Sequence, residues 1–366
     1  MEGMIRALTT RWTVFIPLLA AVALVATWGR SLPTAGVIVV AVFLAGSVLA
    51  AVHHAEVVAH RVGEPFGSLV LAVAVTVIEV ALIVTLMISG GEKSATLARD
   101  TVFAAVMITC NGIFGLALLV GALRRRLAVF NAEGTGAALA TVTTLATLSL
   151  VLPTFTSSVP GPEFSPAQLA FAAVASLALY GLFVMVQTVR HRDDFLPVEA
   201  DGVVTDDDAR DKRPSVRATL ASLGLLLVAL VGVVGLAKVV SPTIESAVAN
   251  AGMPPAAVGV AIALLVLLPE TLAAVRAARR DQVQISLNLA LGSAMASIGL
   301  TIPAIAVATI WLQGPLVLGL GATQMVLLAL TVVVGVLTVV PGRATLLQGG
   351  VHLALFSAFV FLAASP

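Results

Sequence analysis

VLAVAVTVIEVALIVTLM, residues Val70–Met87, is an 18-residue apolar run with one acid, Glu79, near its middle. A second run, VGVAIALLVLLPETLAA at Val258–Ala274, also carries one acid, Glu270, directly behind Pro269. An acid at the centre of a bilayer costs about 2.5–3.5 kcal/mol on insertion scales, so a chain keeps one there for a purpose. Two such acids in related segments point to a cation site shared by two halves of a transporter.

The rest of the chain fits a membrane setting. Of its 366 residues, 59% are hydrophobic and 11% charged, where about a quarter charged is usual for a soluble domain. The apolar runs are helix-length rather than alternating strands of ~10 residues, which argues against a porin-like barrel. Net charge is +1, and no basic cluster with interleaved aromatics suggests nucleic acid. The single cysteine, Cys110, rules out an internal disulfide and a cysteine zinc cluster; in its apolar run it reads as a small buried hydrophobe. Arg6 and Arg11 before Val14–Ala26 mimic a signal peptide, but the long run reads as an uncleaved first helix.

Charged and Pro/Gly breaks divide the chain into eleven candidate spans: 12–29, 35–54, 66–89, 101–123, 136–156, 166–189, 216–240, 254–275, 284–310, 315–340 and 345–364, the ninth with a bend expected at Pro303. With a cytoplasmic N-terminus, 16 of the 20 Lys and Arg fall on the inner side, including Arg124, Arg125 and Arg126. Only Arg30, Lys93, Arg99 and Lys238 fall outside. That bias predicts an N-in, C-out topology.

The one long hydrophilic stretch, Arg190–Arg217, holds eight acids and reads as a solvated linker. It divides the chain into a first helix (1–30), a five-helix half (31–189), the acidic cytoplasmic linker (190–215) and a second five-helix half (216–366). Within this 1+5+5 plan lies a repeat. Glu56-(x6)-Gly63 matches Glu245-(x6)-Gly252. Glu79 follows Glu56 by 23 residues, and Glu270 follows Glu245 by 25. Arg99-Asp100 leads in eleven residues to Asn111-Gly112, and Arg280-Asp281 in eleven to Gly292-Ser293. Equivalent spans are five apart, so the two copies cross in opposite directions. The expected fold is an all-α polytopic membrane protein of eleven transmembrane helices with inverted-topology repeats, an architecture that builds its site near the midplane.

Glu79 and Glu270 are the expected metal and proton ligands. Carboxylate oxygens suit a hard cation. Without metal, two facing carboxylates repel and lose water, which favours proton uptake by one or both. The pair can thus load one divalent cation or two protons at similar total charge. Asn111 and Ser293 can add oxygens to the shell, while Gly112 and Gly292 either admit the site or simply pack helices. Asn288 sits one turn before Gly292, and Thr76 shares a face with Glu79. Pro269 breaks the helix ladder beside Glu270. Glu56 and Glu245 read as vestibule acids or proton relays. His53, Glu56 and His60 share a helical face, which makes a metal site conceivable, but Glu245 has no matching histidines and a solvated helix end explains them as well.

At these residues the chain resembles the cation/proton exchanger (CAX) family of the calcium:cation antiporter superfamily, and its bacterial ChaA-type branch of calcium/proton and sodium/proton antiporters in particular. The stretches that carry the resemblance are His60–Gly67 (HRVGEPFG), Val75–Glu79 (VTVIE), Ala98–Phe103 (ARDTVF), Leu267–Glu270 (LLPE), Leu289–Ser293 (LALGS) and Gly299–Pro303 (GLTIP). The resemblance implies alternating access, a bacterial inner membrane, no enzyme activity and no cofactor. It places the family's characteristic acids on Glu79 and Glu270. Many members have Gly-Asn-Ala before the repeat acid. Here Thr76-Val-Ile and Leu268-Pro269 stand there instead. Calcium takes 6–8 oxygens, so the missing amides leave sodium and potassium open as cargo beside calcium. The expected activity is calcium/proton exchange exporting cytoplasmic calcium, with sodium/proton or potassium/proton exchange as the alternative. A cation channel, or a membrane metalloenzyme built on His53, Glu56 and His60, fits the repeat less well. No Walker-type motif is present, so the proton gradient is the expected energy source.

Overall fold

The computed structural model describes residues 2–30, 32–63, 66–90, 95–197, 214–311 and 314–365. Most of the acidic linker, from residue 198 to 213, lies outside them, as do Glu64, Pro65 and Lys93. The described chain is helical throughout, apart from one two-stranded ladder. Its helices are α1 (Glu2–Thr27), α2 (Thr34–Val62), α3 (Phe66–Gly90), α4 (Leu97–Met107), α5 (Phe114–Arg125), α6 (Ala132–Ala146) and α7 (Pro166–Met185). After the linker come α8 (Val216–Asn250), α9 (Ala256–Val266), α10 (Leu268–Arg279), α11 (Val283–Ala308), α12 (Ala322–Val339) and α13 (Leu346–Ala364). A π-helical turn, Ile108–Ile113, joins α4 to α5 within one span, and a second, Thr147–Val151, extends α6.

Among the described residues, eight helices are long and apolar enough to cross a membrane, or nine if the bent pair α9–α10 is one span. Shorter apolar helices cover Trp12–Thr27 and Val73–Thr85. The observed helices follow most of the expected runs closely, with three main differences in extent, the first being that α1 begins at Glu2 rather than 12. The second and seventh spans, expected to stop at 54 and 240, continue to Val62 and Asn250. Their polar ends remain helical up to Gly63 (φ 78°) and the turn at Gly252 (φ 69°). These are the two glycines matched in the repeat, and both take the positive φ that glycine adopts without strain. The tenth span starts at Ala322 rather than 315, because residues 314–321 are not helical and Val317 bridges Glu163. Helix α11 is continuous through Pro303.

The chain packs as two compact units, each drawing on both halves of the sequence: residues 1–89 with 205–251, and residues 90–204 with 252–366. In the first unit α1, α2 and α8 pack together over small residues. A Cβ at Gly46 would lie 3.0 Å from Ile16, and one at Gly232 3.4 Å from Ala20, the close approach that membrane helices favour. His54 Nε2 meets the Thr13 carbonyl at 2.9 Å. Arg61 donates to the Pro214 carbonyl at one end of this unit (3.2 Å), and Lys238 lies 5.5 Å from the Trp28 ring centroid.

In the second unit the α4–α5 span is the most enclosed. Helix α13 lies against α5, α9 against α4, and α11 against α6, α7 and α10. The loops pair selectively. Strands β1 (Ala128–Val129) and β2 (Arg343–Ala344) form the antiparallel ladder, and Arg125 pairs with Asp281 at 3.3 Å. Separately, Val317 bridges Glu163 and donates to the Ala95 carbonyl at 3.1 Å. Every one of these contacts joins two loops that the alternation expected from sequence would put on the same side.

Candidate functional site

Glu270 owes its position to a helix break. Pro269 has no N–H for the carbonyl four residues earlier, and its ring crowds that turn. The chain bends by 51° between α9 and α10, and Leu267 leaves helical geometry at φ −86°, ψ 2°. The ladder is patched on both sides: Leu267 N–H donates to Ala263 O at 2.9 Å, and Thr271 N–H to Leu267 O at 2.9 Å. Glu270 therefore occupies the first turn of α10 and is half-buried. The first-turn N–H groups and the dipole of α10 favour negative charge there. Expectation and structure agree on this break. Helix α9 is held against α4 by Gly259, where a Cβ would come within 3.1 Å of the Asp100 and Thr101 backbone.

Glu79 sits differently. It lies in mid-helix on α3, is 4% exposed, and has Thr76 (5% exposed) one turn earlier on its face. Neither Glu79 nor Glu270 is without an interaction partner. Glu79 belongs to the first unit and Glu270 to the second.

Glu56 and Glu245 lie toward opposite ends of the first unit. Glu56 is five residues before Arg61, which reaches Pro214 at the start of α8. Glu245 is 29 residues along α8 from Val216, about 44 Å at 1.5 Å per residue, the span of a bilayer with its headgroups. Ser241 Oγ donates to Glu245 Oε1 at 2.8 Å. His53 and His60 are exposed, and among the described residues no three His, Cys, Asp or Glu side chains are grouped to hold a metal.

Asn111 is fully buried in the π-helical turn, and its amide is engaged on both sides. Nδ2 donates to Thr331 Oγ1 at 2.8 Å, and Oδ1 lies 3.1 Å from His352 Nδ1. His352 Nε2 lies 3.2 Å from Thr338 Oγ1. Gly112 packs, since a Cβ there would touch the Phe356 ring at 3.4 Å. Its repeat partner Gly292 does not, since a Cβ there would meet nothing within 4 Å. Ser293 beside it is half-buried on α11. Asn288 is a structural anchor: Nδ2 donates to Phe195 O at 2.7 Å, and Oδ1 accepts from Gln284 at 2.8 Å.

Sequence reasoning missed His352, Thr331 and Thr338. The one available signal was a lone imidazole in an otherwise uncharged span. It also treated Arg99-Asp100 only as a landmark. Asp100, 4% exposed, pairs with Arg99 at 2.8 Å and accepts from Gln324 at 3.3 Å, while Arg99 also donates to Gly319 O.

An acid buried in mid-helix on one apolar helix and a half-buried acid at a helix break on another are features of ion-handling membrane transporters. The sodium/calcium exchanger protein family matches residues 32–189 and 221–364, and the chain belongs to it. This bears out the resemblance to cation/proton exchangers and places the chain among transporters rather than enzymes. The chain is 46% identical over 362 residues to y4hA of Sinorhizobium fredii, whose name assigns it to ionic transport, covering 97% of this chain and 96% of that one. It is 35% identical over 353 residues to the sodium-potassium/proton antiporter ChaA of Escherichia coli, covering 95% and 94%. Its fold is similar to the crystal structure of an H+/Ca2+ exchanger, CAX, with a TM-score of 0.68 at 17% identity, covering 97% of this chain and 89% of that one.

Proposed function

We propose that this protein is a secondary active cation/proton antiporter in which Glu79 and Glu270 bind cation and proton in turn. The observation that carries this reading is the repeat-equivalent pair itself: a carboxylate buried in mid-helix on α3, and one in the first turn after the break in α9–α10. Loading by metal or by protons neutralises the charge that keeps an empty site from crossing apolar surroundings. Ser293, and the second lone pair of Asn111 Oδ1, are the neutral oxygens we assign to the shell. Glu56 and Glu245, at opposite ends of the first unit, are assigned as proton-transfer acids at the two mouths.

Sodium or potassium is the cargo favoured by two observations. The relative at 35% identity is named a sodium-potassium/proton antiporter. The turns before both acids also lack the amide that would raise the oxygen count toward calcium's 6–8. Calcium/proton exchange, the first expectation from sequence, is the second reading, favoured by the carboxylate pair. The test is exchange in proteoliposomes under an imposed pH gradient, with sodium, potassium and calcium supplied in turn. Uphill movement of at least one cation against proton flow is expected. Only downhill equilibration would identify a channel, and proton movement with none of the three would end the antiporter reading.

The eight long helices, the bent pair and the two shorter apolar helices support eleven spans in a 1+5+5 order, in a bacterial inner membrane with the N-terminus inside and residues 190–215 as a cytoplasmic linker. The same-side pairing of loops agrees with this. Single cysteines placed in a Cys110→Ala background provide the check. One at Asp194 is expected to label only from the cytoplasmic side, and one at Gly161 only from outside. The opposite pattern would invert the topology.

A further inference from the structure

We infer that His352 is a positioning residue for cation binding, fixing the carboxamide of Asn111 so that one lone pair of its oxygen is left for the ion. This rests on the reading above that Asn111 supplies an oxygen to the cation.

The hydrogen bonds determine the arrangement one after another. Thr331 Oγ1 has a single proton, and that proton is given to the Leu327 carbonyl at 2.8 Å. The hydroxyl must therefore accept from Asn111 at 2.8 Å, which turns the amide nitrogen toward α12 and the amide oxygen toward α13. Facing that oxygen at 3.1 Å, His352 Nδ1 carries the hydrogen and donates it. Nε2 is then the acceptor, and Thr338 Oγ1 donates to it at 3.2 Å. The Cys110 backbone carbonyl is a second acceptor within reach of the imidazole, and Met107 Sδ lies 3.6 Å from Thr331 Oγ1 and 3.8 Å from Asn111 Nδ2, but reversing the amide would still break the bonds to Thr331 and His352 together. The amide oxygen has two lone pairs, and His352 takes one of them.

The packing is equally specific. The Phe114 ring lies 4.9 Å from the imidazole centroid. Gly115 lets α13 approach so closely that a Cβ there would lie 2.7 Å from the Cβ of His352. His352 is 1% exposed. A carboxamide in a π-helical turn has no regular helix to fix its rotamer, and such turns recur at functional positions. Here the fixing comes from helices 220 to 241 residues away in sequence.

Two substitutions separate the ring nitrogens. His352→Asn puts an amide nitrogen near the place of Nδ1 and gives up the contact with Thr338. His352→Gln reaches toward the place of Nε2 and gives up the donor to Asn111. Both remove the ring, so a purely structural role predicts similar effects. Proteoliposome exchange with the cation that the wild-type protein moves is expected to show a near-normal KM for His352→Asn. His352→Gln should raise KM roughly three- to tenfold, the worth of one hydrogen bond to the ligand's oxygen. In an Asn111→Ala background, which itself raises KM, the difference between the two should vanish. Equal shifts for both variants, a difference that persists without Asn111, or an unchanged KM in Asn111→Ala would overturn the positioning role while leaving antiport intact. A wild-type protein that exchanges no cation for protons would remove the underlying reading and this inference with it.

Discussion

Glu79→Gln and Glu270→Gln are each expected to abolish coupled exchange in proteoliposomes, with the protein still inserted and folded. Glutamine keeps the volume and one oxygen but can neither take up a proton nor present an anionic ligand. At an effective dielectric of 20, a unit charge 4 Å from an ion contributes about 4 kcal/mol, so its loss weakens cation binding about a thousandfold. The proton half-reaction is lost outright, because an amide has nothing to titrate. Stability should hold to within about 1 kcal/mol, since glutamine keeps the volume and a hydrogen-bonding oxygen. Glu133→Gln, an exposed acid in the first turn of α6, is the matched control and should leave exchange unchanged. Full activity in either site variant would move the site elsewhere without touching the family assignment.

Gly349→Ala and Gly115→Ala are expected to destabilise the protein by about 2–3 kcal/mol each, the upper range for forced overpacking. Helices α5 and α13 cross with their backbones nearly touching. A Cβ on Gly349 would lie 2.8 Å from the Leu119 amide nitrogen and 3.0 Å from the Gly115 carbonyl. One on Gly115 would lie 3.1 Å from the Gly349 carbonyl as well as against His352. Backbone cannot rotate away as a side chain can, so the helices must separate. Gly350 is next in sequence, yet a Cβ there meets nothing within 4 Å. Gly350→Ala should therefore be neutral or slightly stabilising, since alanine is the better helix former by about 1 kcal/mol. Thermal unfolding in detergent compares the three directly. Equal losses at Gly349 and Gly350 would mean that the crossing is looser than described.

How much of this was readable from sequence depends on the range of the interaction. Helix positions followed from runs of apolar residues, because a bilayer imposes length and hydrophobicity locally. The break before Glu270 was readable because proline acts on its own turn. The extension of α2 and α8 beyond the apolar runs was half visible, in the matched Glu56/Gly63 and Glu245/Gly252. What could not be read depends on distant partners. Asn111 was readable as an oxygen donor for the shell, but that its two ends meet Thr331 and His352 is a fact of tertiary packing. The π-helical turn has no sequence signature, and Gly292-Ser293, its counterpart in the repeat, lies in unbroken α-helix. The close approach at Gly115 and Gly349 was equally hidden, since both glycines lie in apolar runs like many others.

The interleaving of the two compact units has a consequence for how the chain is made. The first unit needs residues up to 251, and the second needs residues up to the last helix, yet both begin in the first 90 or so positions. Helix α2 packs against α8, which is completed 188 residues after α2 ends. At a synthesis rate of 5–20 residues per second that gap is roughly 10–40 s. For that time α2 and α3, with Glu79 already in place, sit in the membrane without the helix that completes their unit. Neither half of the gene product can mature ahead of the other, so a ribosome that stalls in the linker leaves two unfinished bodies rather than one finished and one missing.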